Sequence, residues 1–253
     1  MKRMYRWLLL IMVFLVCEGN AQSINVGVKA GVSIPNLTTG GTNTPINSGY
    51  SSIFGPDGSI FAEIPLCGAF RIVPTIEYSS QGGKKNGFQA LDATPFAPMF
   101  PPGHAPQYLY ATYNSTANLD YLLIPVVAQF DWSLGADSPW KLYAAPGPFA
   151  GFLLSAKQVT SGSSPLYLDA AGQEQVAPAQ SFNSTQDIKS ELYTFNFGIE
   201  GNLGVSYGFG RNSLRFEAGG NYGFLNIQRG TENGKNFTGA ATAYIGYAYE
   251  LGD

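Results

Sequence analysis

Residues 24–34 read Ile-Asn-Val-Gly-Val-Lys-Ala-Gly-Val-Ser-Ile. Ile24, Val26, Val28, Ala30, Val32 and Ile34 are apolar. Asn25, Gly27, Lys29, Gly31 and Ser33 between them are polar or glycine. Strict period two marks a β-strand with one apolar and one polar face. The same pattern recurs along the chain, and it follows a secretory leader. Lys2, Arg3 and Arg6 form a positive start, residues 7–16 are an apolar run, and Gly19-Asn-Ala21 places small residues where a signal peptidase reads. The expected cut is after Ala21, giving a signal peptide over 1–21 and one β-barrel domain over 22–253. A transmembrane helix needs about 20 apolar residues, and Glu18-Gly-Asn ends this run too early.

Composition narrows the class. Without the leader's Lys2, Arg3, Arg6 and Glu18, 11 basic and 16 acidic residues remain of the 14 and 17 in the whole chain. No basic patch is present, so no nucleic-acid partner is expected. Charged residues make up only 12% of the chain, yet mean hydropathy is −0.01. A soluble domain carries about twice that charge. Low charge, 31 glycines, 15 tyrosines and 17 phenylalanines without a long apolar run fit a transmembrane β-barrel, where apolar residues occupy alternate positions. Cys67 is the one cysteine beyond the leader, so no internal disulfide is expected.

Alternation predicts eight strands, near residues 24–34, 59–66, 70–80, 118–132, 140–155, 193–207, 214–225 and 237–251. Most reach the roughly 9–11 residues that cross a bilayer. Long Gly/Pro/Ser/Asn-rich segments, 35–58, 81–117 and 156–191, alternate with short turns, and the 226–236 link is intermediate. Long loops at one end and short turns at the other describe an all-β, eight-stranded antiparallel up-and-down transmembrane barrel with long extracellular loops. Closure is required because lipid cannot satisfy an open sheet edge. Pro65, Pro74, Pro125, Pro146 and Pro148 fall in or near strands, where bulges or strand ends are expected.

The inward positions carry Lys29, Arg71, Lys141 and Arg215 with Glu63, Glu77, Glu200, Glu217 and Glu250. Buried charges are costly unless paired, so an interior salt-bridge network that plugs the lumen is expected. Eight strands enclose little more than their own side chains. Phe197 should face lipid at mid-strand and Asn196 the lumen, so arginine should be tolerated better at 196. No catalytic set, cofactor or metal site is legible. His104, the sole histidine, lies in the loop Phe100-Pro-Pro-Gly-His-Ala-Pro106, which excludes a multi-histidine zinc site.

Four stretches resemble the PorT-like outer-membrane β-barrel proteins: Gly27-Val-Lys-Ala-Gly31, Ile72-Val-Pro-Thr-Ile-Glu-Tyr78-Ser-Ser-Gln-Gly82, Tyr121-Leu-Leu-Ile-Pro125-Val-Val and Phe216-Glu-Ala-Gly-Gly-Asn-Tyr222-Gly. The resemblance spans nearly the whole mature chain and implies an outer-membrane barrel. Some relatives assist secretion across that membrane. Such chains usually end in an aromatic read by the barrel-assembly machinery; here Tyr249 or Leu251 would serve.

The expected role is non-enzymatic: a structural or surface-binding protein of the bacterial outer membrane. Its partners would be outer-membrane lipid, the barrel-assembly machinery, and an extracellular glycan, peptide or secretion component. Tyr50, Phe54, Phe96, Phe100, Tyr108, Tyr110 and Tyr167 are the candidate binding aromatics, and they equally suit packing the loops together. The alternatives are a small gated pore and a soluble barrel holding an apolar ligand, which needs the opposite facing.

Overall fold

The computed structural model describes residues 23–41, 44–230 and 234–252. The leader expected over 1–21 lies outside the described residues. The ring strands are β1 (Ile24–Gly40), β2 (Gly55–Cys67), β3 (Phe70–Asp92), β4 (Tyr108–Ser133) and β5 (Trp140–Ser161). Between β5 and the rest lie three short strands, β6 (Ser163–Tyr167), β7 (Gln175–Ser181) and β8 (Ser184–Asp187). The ring then continues through β9 (Phe195–Phe209), β10 (Asn212–Gly223) and β11 (Lys235–Leu251). Each ring strand pairs antiparallel with the next, and β5 pairs directly with β9. β11 returns to β1 from Ile24↔Leu251 to Gly40↔Lys235, which closes a barrel of eight strands.

The faces follow the alternation. On β11, Ile245, Tyr247 and Tyr249 are exposed while Tyr244 and Ala248 are buried. Leu203 is 67% and Ile245 62% exposed, values that water would penalise and lipid would not. Aromatic rings gather in two belts around this apolar band. Near the long extensions, Phe152 meets Phe195 at 5.7 Å, Phe197 meets Phe224 at 6.2 Å and Tyr222 meets Phe237 at 6.4 Å. Near the chain ends, Phe130 lies 4.7 Å from Phe70 and 4.5 Å from Trp132, and Trp140 lies 4.8 Å from Tyr207. On β9 the path from Phe197 to Tyr207 runs about 33 Å along the strand. At a tilt of about 40° it spans about 25 Å, the height of an outer-membrane barrel's apolar band. Phe197 therefore stands in a belt, not at mid-strand as the alternation alone suggested; Leu203 holds the middle.

The long segments are largely strand, with loops only at their tips. β3, β4 and β5 run 23, 26 and 22 residues, far beyond what lipid requires. They leave the barrel as a tall sheet, with β6 touching β4 at Tyr110↔Tyr167, β7 paired to β6, and β8 on the far part of β5. Segment 81–117 is thus mostly a β3–β4 hairpin, and among the described residues of segment 35–58 only 41 and 44–54 lie outside the named strands. Apolar alternation fades outside the membrane, but the backbone still needs hydrogen-bonded partners and finds them in the ladder. The extension has its own small core of Ala93, Leu109, Ala111, Leu166 and Ala177, packed by Phe96, Phe100, Tyr113 and Phe182.

Of the five prolines expected in strands, only Pro65 sits at a bulge. Pro74, Pro125, Pro146 and Pro148 lie inside strands whose register is unbroken across them. The β4–β5 ladder opens between Pro125↔Phe149 and Phe130↔Ala144, while β5–β9 stays continuous through the same residues. Pro146 and Pro148 have the same parity, so their missing donors face one neighbour, and the strand is held from the other side.

Candidate functional site

The lumen is layered. At the end carrying the termini, Arg215 bridges Glu63, and its Nη2 donates to Gln129 Oε1 at 3.0 Å. Arg71 Nε donates to Asp131 Oδ2 at 2.7 Å, with Nη1 3.8 Å from Glu63 Oε2. Asn25 adds a 2.7 Å hydrogen bond to Glu63. Two guanidiniums and two carboxylates balance there. One layer deeper, Lys29 Nζ lies 2.8 Å from Glu217 Oε2, and the Tyr143 hydroxyl donates to Glu217 Oε1 at 2.8 Å. The Arg215 guanidinium stacks 4.3 Å over the Tyr143 ring. Phe61, Val73, Val127, Ala145 and Ala248 fill the space around these charges. Phe61 lies over Gly27, Tyr143 over Gly204 and Phe149 over Gly198, where a Cβ would overlap each ring.

Next comes an acidic layer. Asp57 Oδ2 accepts from Ser79 at 2.8 Å, and Gln81 reaches Ser79 and, across the lumen, Asn221 at 3.2 Å. Glu200 accepts from Asn202 at 2.7 Å. Glu77 is fully buried, and neither carboxylate oxygen has a partner among the described residues. Above it, Leu37, Leu119, Tyr121, Leu123, Phe149, Leu153, Leu192 and Ile227 close the lumen as an apolar plug.

Of the nine expected lumen charges, Lys29, Glu63, Arg71, Arg215 and Glu217 form ion pairs. Glu77, Lys141, Glu200 and Glu250 do not, among the described residues, so pairing is partial. Glu250 is exposed at a strand end, and Glu77 and Glu200 lie beyond reach of the guanidiniums. Asp57 and Asp131 take part without having been singled out. Asp131 shares the parity of Val127 and Gln129, which identifies its face; Asp57 was hidden because β2 begins four residues before the visible alternation. Asn196 is 1% exposed, with its amide on Thr238 at 2.9 Å, so arginine has no room there despite the lumen facing.

The expected aromatics divide. Tyr50 packs on the lumen plug, and Phe96 and Phe100 pack the extension's core. Phe54 is 78% exposed. Tyr108 is half-buried at the start of β4. Tyr110 and Tyr167 flank Phe88, stacked at 6.0 Å and edge-on at 5.8 Å respectively. Phe88, Tyr167, Thr112, Ser163 and Gly172 line an open groove of about 400 Å³. The tip beside it is held by Asp169, whose carboxylate accepts backbone N–H bonds from Ala171, Gln173 and Glu174 at 2.8, 3.0 and 2.6 Å. Phe88 was not among the expected aromatics, although it lies in the same segment, 81–117, as Phe96, Phe100, Tyr108 and Tyr110. His104 is an exposed loop residue with Nδ1 3.1 Å from the Pro102 carbonyl.

A closed eight-stranded ring, apolar outside between two aromatic belts and polar but plugged inside, is an outer-membrane β-barrel. The chain belongs to the outer membrane protein beta-barrel domain family, whose profile matches residues 20–229. Among solved structures, it is similar to Ail, the attachment invasion locus protein of Yersinia pestis: 9% identity, 90% of this chain and 99% of that one, TM-score 0.38. It is similar to Neisserial surface protein A at 14% identity, over 89% and 97% of the chains, with TM-score 0.37. A major outer membrane protein from Thermus thermophilus gives 11% identity, 90% and 99% coverage, and TM-score 0.44. No curated protein sequence matches the chain. The short turns and termini of such barrels face the periplasm, and the long extensions face outward.

Proposed function

We propose that this barrel is a surface-binding protein whose rigid outer extension holds a glycan or peptide in the groove beside Phe88. The observation that carries the reading is the Phe88–Tyr110–Tyr167 cluster at an open edge. Phe88 is 42% exposed although it sits among other aromatics. Aromatic faces with neighbouring hydroxyls (Thr112, Ser163) suit rings and planar groups that are apolar on one side and polar on the other. The groove is preformed, because the Asp169 tip and the β3–β4 ladder hold it, so little ordering is lost on binding. Residues 1–21 export the chain, the barrel-assembly machinery inserts it, and the finer likeness is to PorT-like barrels, some of which assist secretion. The plugged lumen counts against the pore alternative, and the outward apolar face counts against the soluble ligand-binding barrel.

Purified barrel should be retained on some surfaces of an immobilised glycan and peptide panel. Phe88→Ala should lose about tenfold in affinity, while His104→Ala is unchanged. Equal retention of Phe88→Ala, or no retention on any surface, would overturn the reading. In planar bilayers the protein should give no steady porin-like conductance; such a conductance would favour a channel.

A further inference from the structure

The periplasmic mouth of the barrel is a polar cavity of about 600 Å³. The apolar ring of Phe61, Val73 and Val127 and the Lys29–Glu217 pair close it from above. Solutes therefore enter from the periplasm and stop. The charges in its wall do not cancel. Arg71 and Arg215 are balanced by Glu63 and Asp131. Lys141 is half-buried in the wall and, among the described residues, has no ion pair or side-chain hydrogen bond. Arg211 and Glu250 also line the cavity without an ion pair among the described residues, but both are exposed at the rim, where water solvates them.

The register places this spare ammonium. Lys141 on β5 is opposite Ser206 on β9, and Ser206 is opposite Arg215 on β10. All three line the cavity. One transverse row thus presents ammonium, hydroxyl and guanidinium on consecutive strands, each about 4.8 Å from the next. Lysine and arginine side chains flanking a hydroxyl at that spacing can converge on one small group. Both flanking donors are positive and the middle one is neutral, so the group they match is an oxyanion. Arg215 commits Nη1 and Nη2 to Glu63 and Gln129, and its Nε keeps a donor without a partner among the described residues.

We infer that the periplasmic mouth is a binding site for a small oxyanion, a phosphate or carboxylate group, held by Lys141, Ser206 and Arg215. The oxyanion neutralises the wall's excess of one positive charge, Arg71, Lys141, Arg211 and Arg215 against Glu63, Asp131 and Glu250. The plug makes this a site of capture, not of passage. It is separate from the outer groove, and neither depends on the other.

The test uses the full mature barrel folded in a phosphate-free maltoside detergent at low salt. Inorganic phosphate, citrate and glycerol phosphate are titrated by calorimetry. The three arms separate a free phosphate, a carboxylate and a lipid-headgroup source. At least one should bind with a dissociation constant of about 1 mM or tighter. Lys141→Gln should weaken that binding about tenfold with an unchanged unfolding midpoint, and Lys141→Arg should keep it. Phe88→Ala should bind the anion as the wild type does, which keeps this result independent of the outer groove. No binding in any arm, or equal binding by folded Lys141→Gln, would overturn the inference.

Discussion

Lys29 and Glu217 are 188 residues apart and meet inside the barrel, Nζ to Oε2, at 2.8 Å. Their side chains are 8% and 5% exposed. The pair ties β1 to β10 across β11, so it reports on the register of barrel closure.

Removing one partner leaves the other charge buried. Lys29→Met or Glu217→Gln alone should lower stability by about 3–5 kcal/mol, and the double substitution should recover part of the loss. Denaturant unfolding of the refolded barrel, followed by heat-modifiable migration on gels, checks this. Additive losses in the double variant would mean that the two groups do not interact.

Arginine at an outward site in mid-band should hinder assembly more than arginine in the mouth. Leu203→Arg should cost about 2–4 kcal/mol. Ser206→Arg, three residues on but facing the water-filled cavity, should cost less, even though it sets a third cation between Lys141 and Arg215. Insertion yields measured side by side decide it, and the reverse order would invert the facing.

Gly82 has φ +123°, and a Cβ there would overlap the Ala117 carbonyl of β4. Gly87, further up the same strand, has φ +97° with nothing within 4 Å of an added Cβ. Gly82→Ala should therefore lower stability by about 2 kcal/mol or more and Gly87→Ala by about 1 kcal/mol. Equal effects would show that backbone conformation alone, without the clash, sets the cost.

The backbone donors of Glu174, Gln173 and Ala171 hold the Asp169 carboxyl below its ordinary value. A lowered folded-state value means that the tip gains stability above the unfolded carboxyl's titration range and loses it as pH falls through the folded value. Amide protection factors over 168–174, with the intrinsic pH dependence of exchange divided out, should fall in acid, below about pH 4, and Asp169→Asn should show low protection already at neutral pH. Wild-type protection factors that do not change with pH would contradict this.

Much of the barrel was legible in one dimension. The inward set of Phe61, Tyr121, Phe149 and Tyr244 and the outward set of Ile199, Leu203 and Ile245 follow from parity alone. Lipid demands apolar outward residues, and a pleated strand turns every second residue out. The outer extension was illegible for the same reason. Beyond the membrane no lipid imposes an apolar outer face, so Tyr108-Leu-Tyr-Ala-Thr-Tyr was grouped with the long segment 81–117, though Leu109 and Ala111 are fully buried there. The candidate groove was half visible: Tyr110 and Tyr167 were among the loop aromatics, but Phe88, which joins them, was not.

The residues in order determined that this chain is a closed β-barrel of eight membrane strands, which face of each strand meets lipid, and that its interior is charged. Those properties follow from a local period of two and from the insolubility of unpaired backbone in lipid. Which charges meet was decided only by the tertiary structure. Glu63 receives both Arg71 and Arg215, Glu77 receives no cation among the described residues, and Lys141 stands beside Ser206 without a carboxylate. Contacts across a lumen depend on how far each strand is staggered against its neighbour around the whole ring. That stagger is a collective property of all eight strands, fixed only when β11 closes on β1.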